Sequence, residues 1–319
     1  MNQHQALGEI RYGSVCSGVE AATVAWHGLG WKPAFFSEIE AFPRAVLEHH
    51  YPEVPLHGDF TTIKENQYGP INLLVGGTPC QSFSLAGLRG GMEDERGNLA
   101  LEFVRLAQRE RPQWVVWENV PGVLSSNGGR DFGSLLGALA ELGYGFAYRV
   151  LDSQFFGVPQ RRRRVFVVGY RGDWRPPTAV LFERESLSGN PPPSREAGKG
   201  AASLTQASVD EHRIRKYGSG LVPGTVAYGL RSGNTSSNGI GVQEEATHTL
   251  NTTDRHAVSL GMQVRRLTPV ECERLQGFPD DYTRIPYRNK DADSCPLGPR
   301  YKAMGNSMAV PVMRWIGER

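Results

Sequence analysis

Short apolar runs alternate with stretches of helical periodicity through roughly the first 170 residues, and this alternation restricts the fold more than any other feature. "YGSVCSG" (12–18), "PAFFSEI" (33–39), "VPLHGD" (54–59), "INLLVGG" (71–77) and "PQWVVWENV" (112–120) read as strands. Between and after them, a stretch from Glu20 to Leu29, "PRAVLEHHY" (43–51), "GNLALEFVRLAQRER" (97–111) and "FGSLLGALAELGY" (132–144) read as helices. In the third of these, Leu99, Phe103, Leu106 and Ala107 recur at the spacing of one helix face. "FAYRVLDSQFF" and "RRVFVVGYR" read as a closing strand pair. Strands alternating with helices imply an α/β domain: a doubly wound, mostly parallel sheet with helices on both faces.

The character changes after Tyr170. Residues 171–263 are rich in Pro, Gly, Ser, Thr and Asn, with short strand candidates in "TVAYGL" (225–230) and "HAVSLGM" (256–262). Such a composition suits a linker, but Tyr217, Val226, Tyr228, Leu230, Leu250, Val258 and Leu260 offer a modest core for a second, smaller, irregular domain. Helical signals return from Arg265, where "LTPVECERLQGF" carries Thr268 as cap, Pro269 at the first helical position and Glu271 in the first turn. The closing "YKAMGNSMAVPVMRWIGER" reads as a helix packing back on the first domain. The expected partition is therefore 1–170, then 171–263, then 264–319 completing the first domain.

Four cysteines (Cys16, Cys80, Cys272, Cys295) lie far apart with no C-x-x-C pair, against a zinc site or a disulfide framework. A formal charge of +2 identifies no partner by itself, so a polyanion would have to meet locally gathered arginines. No apolar run approaches the ~20 residues of a membrane helix. The first 30 residues lack a secretory pattern, which leads to the expectation of a soluble cytoplasmic protein without metal.

The residues suited to chemistry fall at strand ends. "CSGVEAA" (16–22) is a glycine turn between strand and helix, a place for a nucleotide-like cofactor or merely a tight turn, and it lacks the spacing of a dinucleotide fingerprint. Glu38, closing the second strand, can accept from both hydroxyls of a ribose or can be a solvated surface acid. Asp59, closing the third, can meet an adenine amino group or can cap "FTTI". "GGTPCQSFS" places Cys80 after the fourth strand among Gly, Pro, Gln and Ser, poor surroundings for a thiol that merely fills a core. "WENV" puts Glu118 at the end of the fifth strand, where its plain role would be an ion pair with an arginine. In "PQRRRRVFVVG" (159–169), alternation points Arg162 and Arg164 to one side and Arg161 and Arg163 to the other. A cysteine, a carboxylic acid and a pair of arginines on one rim suit attack on an electron-poor ring with protonation of that ring.

The order of these motifs resembles the DNA cytosine-5 methyltransferases of bacterial or phage type, nearly end to end. "GGTPCQSFS" is similar to the family's Pro-Cys-Gln motif, "ENV" to its Glu-Asn-Val motif, and Gln160, Arg162 and Arg164 satisfy its Gln-x-Arg-x-Arg motif. "RRLTPVECERLQGFPDDY" resembles the segment after the recognition region and "YKAMGNSMAVPV" the closing Gly-Asn-Ser motif. The resemblance implies S-adenosylmethionine as cofactor and a cytosine flipped out of double-stranded DNA as substrate. Cys80 would then attack C6, with Glu118 at N3, Arg164 at O2, and Arg162 positioning a phosphate or Cys80. Cofactor contacts would come from Cys16, Ser17, Gly18, Glu38, Ile39, Asp59 and Phe60, joined by Pro79, Leu99, Asn306 and Ser307. Substrate contacts would come from Gln81, Ser84, Asn119, Val120, Gln160 and Arg161, residues 82–97 would close over the base, and 171–263 would recognise the target, all within a monomer.

Two departures stand out. Where the family has Phe-x-Gly-x-Gly, this chain has Cys16 for Phe and Glu20 for the second Gly. Where an aromatic commonly follows the second-strand acid, Ile39 stands here, which leaves adenine to Asp59, Phe60 and Leu99. Three competing readings remain: a transfer-RNA cytosine-5 methyltransferase of the same fold, a relative that binds without catalysing, and a nicotinamide-dependent oxidoreductase, which the broken glycine fingerprint disfavours.

Overall fold

The computed structural model describes residues 10–79, 99–182, 226–230, 241–244, 247–248, 255–260 and 263–319. Strands β1 (Arg11–Val15), β2 (Lys32–Ser37), β3 (Leu56–His57), β4 (Leu73–Gly76) and β5 (Trp114–Asn119) are interleaved with helices α1 (Ala21–Trp26), α2 (Ala41–His50) and α3 (Leu99–Glu110). Helix α4 (Arg130–Glu141) precedes β6 (Tyr144–Asp152), then the short β7 (Gln160–Arg161), β8 (Arg163–Arg171) and helix α5 (Arg175–Leu181). Seven of these strands form one sheet in the order β3-β2-β1-β4-β5-β8-β6. Neighbours from β3 to β5 pair in parallel, and β8 runs antiparallel to β5. The expected doubly wound sheet is present, and the closing pair supplies its antiparallel edge. Strand order reverses between β1 and β4, so the crevice beyond their carboxyl ends is where such sheets take ligands.

Burial follows from that layering. β4 is buried along its whole length because helices cover both faces. α3 turns Phe103, Leu106 and Ala107 inward to pack with Val15, Leu74 and Trp117, and each fully buried large side chain contributes about 1.5–3 kcal/mol. Gly76 is required at the end of β4: a Cβ there would lie 2.6 Å from Val15 Cγ2 and 2.9 Å from Val15 O. The absence of a side chain lets β1 and β4 deliver their loops side by side. Near the chain end, Trp26 Nε1 donates to Met313 O at 2.7 Å.

The described residues fall into two compact units. One contains the chain to Leu151, the described residues from Arg163 to 182, and Met313–Arg319. The other joins Asp152–Arg162 to the described residues between 226 and Val312. This division cuts across the boundaries expected at 170 and 264. Segment 152–162 goes with the second unit because Arg162 Nη2 donates to the carbonyls of Gly305 (3.2 Å) and Ser307 (2.7 Å). Helices Pro269–Gln276 and Leu297–Asn306 belong to that unit too, joined by Gln276 Nε2 donating to Met304 O. The first of them starts as read from sequence: Thr268 Oγ1 accepts from Glu271 N, and Glu271 Oε2 accepts from Thr268 N.

Strands β9 (Val226–Leu230), β10 (Gly241–Glu244), β12 (Arg255–Leu260) and β13 (Gln263–Arg266) make a four-stranded antiparallel sheet in the order β10-β9-β12-β13. Both strand candidates of the 171–263 region are therefore strands, and neighbours. The short β11 (Thr247–His248) pairs in parallel with β7. Among the described residues no helix is long and apolar enough to cross a membrane, and no His/Cys/Asp/Glu group could hold a metal ion.

Candidate active site

The loop after β1 is built on three left-handed residues: Cys16 (φ 49°), Gly18 (φ 55°) and Glu20 (φ 66°). For the two residues with a Cβ this conformation costs about 1–2 kcal/mol each. Two carboxylates hold the turn. Glu38, just past β2 and 9 % exposed, accepts from Gly18 N through Oε2 at 2.8 Å and from Ile39 N and Glu40 N through Oε1, each at 2.8 Å. That excludes a solvated Glu38. Glu20, 1 % exposed, accepts from Ser14 Oγ (2.7 Å), Thr23 N (3.2 Å) and Thr23 Oγ1 (3.1 Å). Burial pushes the Glu20 carboxyl up to about 7, against the pull of those hydrogen bonds.

Among the described residues, a Cβ at Gly18 would meet nothing within 4 Å. Burial, reinforced by Glu38 and then Asp59, pushes the Cys16 thiol up to about 12. Ser17 locks the loop to the neighbouring strand β2 through its backbone N–H (3.1 Å) and its hydroxyl (3.2 Å), both directed at Ser37 O. Arg44 on α2 clamps the ends of β2 and β3, its Nη1 donating to Glu38 O (2.8 Å) and His57 O (2.7 Å).

Asp59 caps the turn Phe60–Thr62, with Oδ1 accepting from Thr61 N at 2.9 Å, so the capping role is real; the residue is nevertheless exposed at the rim. Phe60 is 4 % exposed and packs in the core beside Asp59 in the chain. Ile39, 74 % exposed beside Glu38, is the apolar surface at that point of the rim. Leu99 opens α3 half-buried against the core, and Pro79 is exposed after β4.

At the adjoining end of β5, Glu118 Oε1 accepts from Arg164 Nε at 3.0 Å, with both side chains largely buried. Burial pulls the Arg164 guanidinium below its ordinary value, and the Glu118 carboxylate opposes that shift. Antiparallel pairing explains the meeting: the start of β8 lies beside the end of β5, with Asn119 opposite Val165. Asn119 is 4 % exposed, its Nδ2 donates to Thr78 O (2.9 Å) and its Oδ1 accepts from Val120 N (2.8 Å), so the carboxamide ties the end of β5 to Thr78. Trp117 Nε1 donates to Thr78 Oγ1 at 2.9 Å. Thr78, two residues before Cys80, is thereby gripped by side chain and backbone. Cys80, Gln81 and Ser84 themselves, and the segment 82–97, lie outside the described residues.

Arg162, the last residue of its segment in the second unit, is 3 % exposed, while Arg161 and Arg163 on either side of it are exposed, as alternation requires. The Arg162 guanidinium binds the carbonyls of the Gly305–Ser307 segment, which makes it a clamp on that motif. Gln160 is fully buried, and among the described residues its Oε1 and Nε2 have no hydrogen-bond partner. The residue is enclosed because β7 pairs with Thr247–His248 while Ser153 Oγ donates to its carbonyl. Asn306 is exposed and Ser307 buried at the end of their helix.

The family model for the C-5 cytosine-specific DNA methylase matches residues 10–319. The chain belongs to that family. DNA cytosine-5 methylation is the family's activity, and the chain is accordingly a methyltransferase. It is 36 % identical to a protein of Escherichia phage P1 called DNA N-6-adenine-methyltransferase, over 98 % of this chain and 61 % of the phage protein. It is 31 % identical to the type II methyltransferase M.SsoII of Shigella sonnei, over 89 % of this chain and 73 % of that protein. The chain thus spans about three fifths to three quarters of the length of these relatives. Among solved structures, the Dnmt2 methyltransferase of S. pombe superposes with a TM-score of 0.66 at 15 % identity, covering 96 % of this chain and 97 % of the other. A putative DNA modification methyltransferase from an E. coli prophage superposes at 0.62 and 18 % identity, covering 97 % of each. At these identities the structural likeness establishes the fold.

Sequence reasoning missed Arg44, Thr78 and Trp117 as parts of the site. None carries a motif signal, and only the fold brings them to the rim. Glu20 did carry a signal, because a glutamate stands where the family's turn uses glycine.

Proposed function

We propose that the chain is a DNA (cytosine-5-)-methyltransferase that uses S-adenosylmethionine and a cytosine flipped out of the duplex. The observation that carries the reading is the buried Glu118–Arg164 pair at the end of β5, beside a strand whose exit leads through the gripped Thr78 to Cys80. A carboxyl group and a guanidinium side by side match the N3 and O2 edge of cytosine. The methyl-donor site is read at the other half of the crevice. The open space at Gly18, the Glu38 carboxylate and the exposed Asp59 fit a nucleoside with hydroxyls and an amino group to satisfy. Oε1 of Glu38 already accepts two amides, so Oε2 is the freer acceptor for a ribose hydroxyl. Ile39 replaces aromatic stacking with an aliphatic cover.

Cytosine C5 is a weak nucleophile, and covalent catalysis divides the difficulty. The Cys80 thiolate adds to C6 while Glu118 hydrogen-bonds or protonates N3, and electron density moves to C5. S-adenosylmethionine, when bound, supplies the electrophilic methyl group. A base removes the C5 proton, the C6–sulfur bond breaks, and thiolate and 5-methylcytosine are released. Arg164 holds O2, and its pair with Glu118 keeps both groups aligned before the base arrives. Extruding the base costs a few kcal/mol. The adenine-N6 name belongs to the phage protein, more than a third of which has no counterpart here.

A duplex oligonucleotide carrying 5-fluorocytosine tests the chemistry directly. With the donor present, fluorine cannot leave as a proton does, so the enzyme becomes irreversibly attached through Cys80. The reading fails if no such adduct forms on duplex DNA that the wild-type chain methylates at unmodified cytosine. Labelled donor with duplex DNA in one arm and transfer RNA in another decides the polymer.

A further inference from the structure

We infer that Glu20 is a positioning residue for the methyl donor: its ionised carboxylate, buried beneath the 16–20 loop, sets the backbone on which the donor is bound. The inference rests on the reading of this crevice as the donor site. Its basis is an outlier. Glu20 sits at φ 66°, a conformation that glycine adopts freely and glutamate does not, at the position where the family pattern has glycine. A strained residue persists when its surroundings reward it, and the reward here is visible. The hydroxyl of Ser14 from β1 and the amide and hydroxyl of Thr23 from α1 all donate to the carboxylate, and the Ser17 side chain also favours its charged form. Glu20 N in turn donates to Ser17 O at 2.9 Å, which closes the loop from Ser17 to Glu20 around Gly18. The carboxylate thus ties the strand, the loop and the helix start into one piece, below the face on which Gly18 is open.

An acceptor with three donors suits the charged form. Protonation places a hydrogen against one of those donors and forces a hydroxyl to turn, which loosens the tie. Among the described residues, no positive charge contributes to the shift at Glu20. Ser14, Ser17 and Thr23 are neutral, and Tyr12 of β1, whose hydroxyl lies 2.6 Å from Thr23 Oγ1, is pushed up by burial and stays neutral. Burial has already raised the Glu20 carboxyl to about 7, so the tie changes state within the working range.

Calorimetric binding of S-adenosylhomocysteine to the full chain, without DNA, is the test. At pH 8 the expected order of affinity is wild type, then Glu20→Gln about threefold weaker, then Glu20→Gly about tenfold weaker. From pH 8 to pH 6 wild type should weaken toward the level of Glu20→Gln, while Glu20→Gln changes at least twofold less over the same range. Ser14→Ala, which leaves the carboxylate and removes one donor, should weaken binding in the same direction if the Glu20 variants fold poorly by circular dichroism. Wild-type affinity in Glu20→Gly, or an unchanged pH slope in Glu20→Gln, overturns the role of Glu20 and leaves the donor site standing. Failure of wild type to bind S-adenosylhomocysteine removes the donor site itself, and this inference with it.

Discussion

Arg162 and Arg164 stand two residues apart in one motif and end in different regions. Arg164 belongs to the unit of the large sheet, where its guanidinium meets Glu118 at the rim. Arg162 belongs to the second unit, buried among the carbonyls of the Gly305–Ser307 segment. The chain crosses from one unit to the other between them, through the exposed Arg163. The difference teaches that one short run of arginines performs two tasks. One pairs with the buried carboxylate of Glu118 and the other staples a distant stretch of the same chain. Neither task is visible in charge alone.

That contrast can be broken by mutation. The largest effect is expected from Glu118→Gln, which keeps shape and removes the acid: single-turnover methylation should fall by about 10³-fold, roughly 4 kcal/mol of barrier, with S-adenosylhomocysteine affinity little changed. An unaltered rate would leave the Glu118–Arg164 pair as mere structure. Arg162→Ala should act on folding, because it strands buried carbonyls; a loss of about 2–4 kcal/mol in chemical denaturation is expected. Should Arg162→Ala keep full stability and lose only turnover, the two arginines share one task after all. Asn119→Ala frees Thr78 O and Val120 N and should cost about 1–3 kcal/mol, with slower methylation following from a loosened approach to Cys80.

The smallest effect sharpens the comparison inside the sheet unit. Glu20 is an acid whose folded value, about 7, lies above the ordinary glutamate value of 4.5. The folded state therefore holds that proton more tightly than the unfolded chain, and stability should fall as pH rises from about 4.5 to about 7. Thermal melts across that window should show a steeper decline for wild type than for Glu20→Gln. Equal slopes would show that Glu20 does not titrate in the fold.

Much of the site was legible before any tertiary structure. The alternating pattern placed Cys16, Glu38, Asp59, Cys80 and Glu118 at carboxyl ends of strands, and a parallel sheet gathers those ends by construction. Alternation also sorted the arginines, since Arg162 is buried and its two neighbours are exposed. Roles were harder. Phe60, Asn119 and Gln160 sit in the right segments, but their side chains turn inward. Segment membership is set by local pattern, whereas side-chain direction is set by what the neighbouring strand leaves room for.

Local sequence determined the strands, helices and caps of this protein, and with them the kinds of side chain available along the rim. Those follow from hydrophobic period, turn residues and capping chemistry, all short-range in the chain. Tertiary structure alone decided that β8 runs antiparallel to β5, which brings Arg164 to Glu118 across 46 residues. It also decided that Arg162 is spent on carbonyls about 145 residues away. Contacts at such separations are chosen by the packing of whole elements, where burial and hydrogen-bond satisfaction are settled together, and no window of neighbouring residues contains that information.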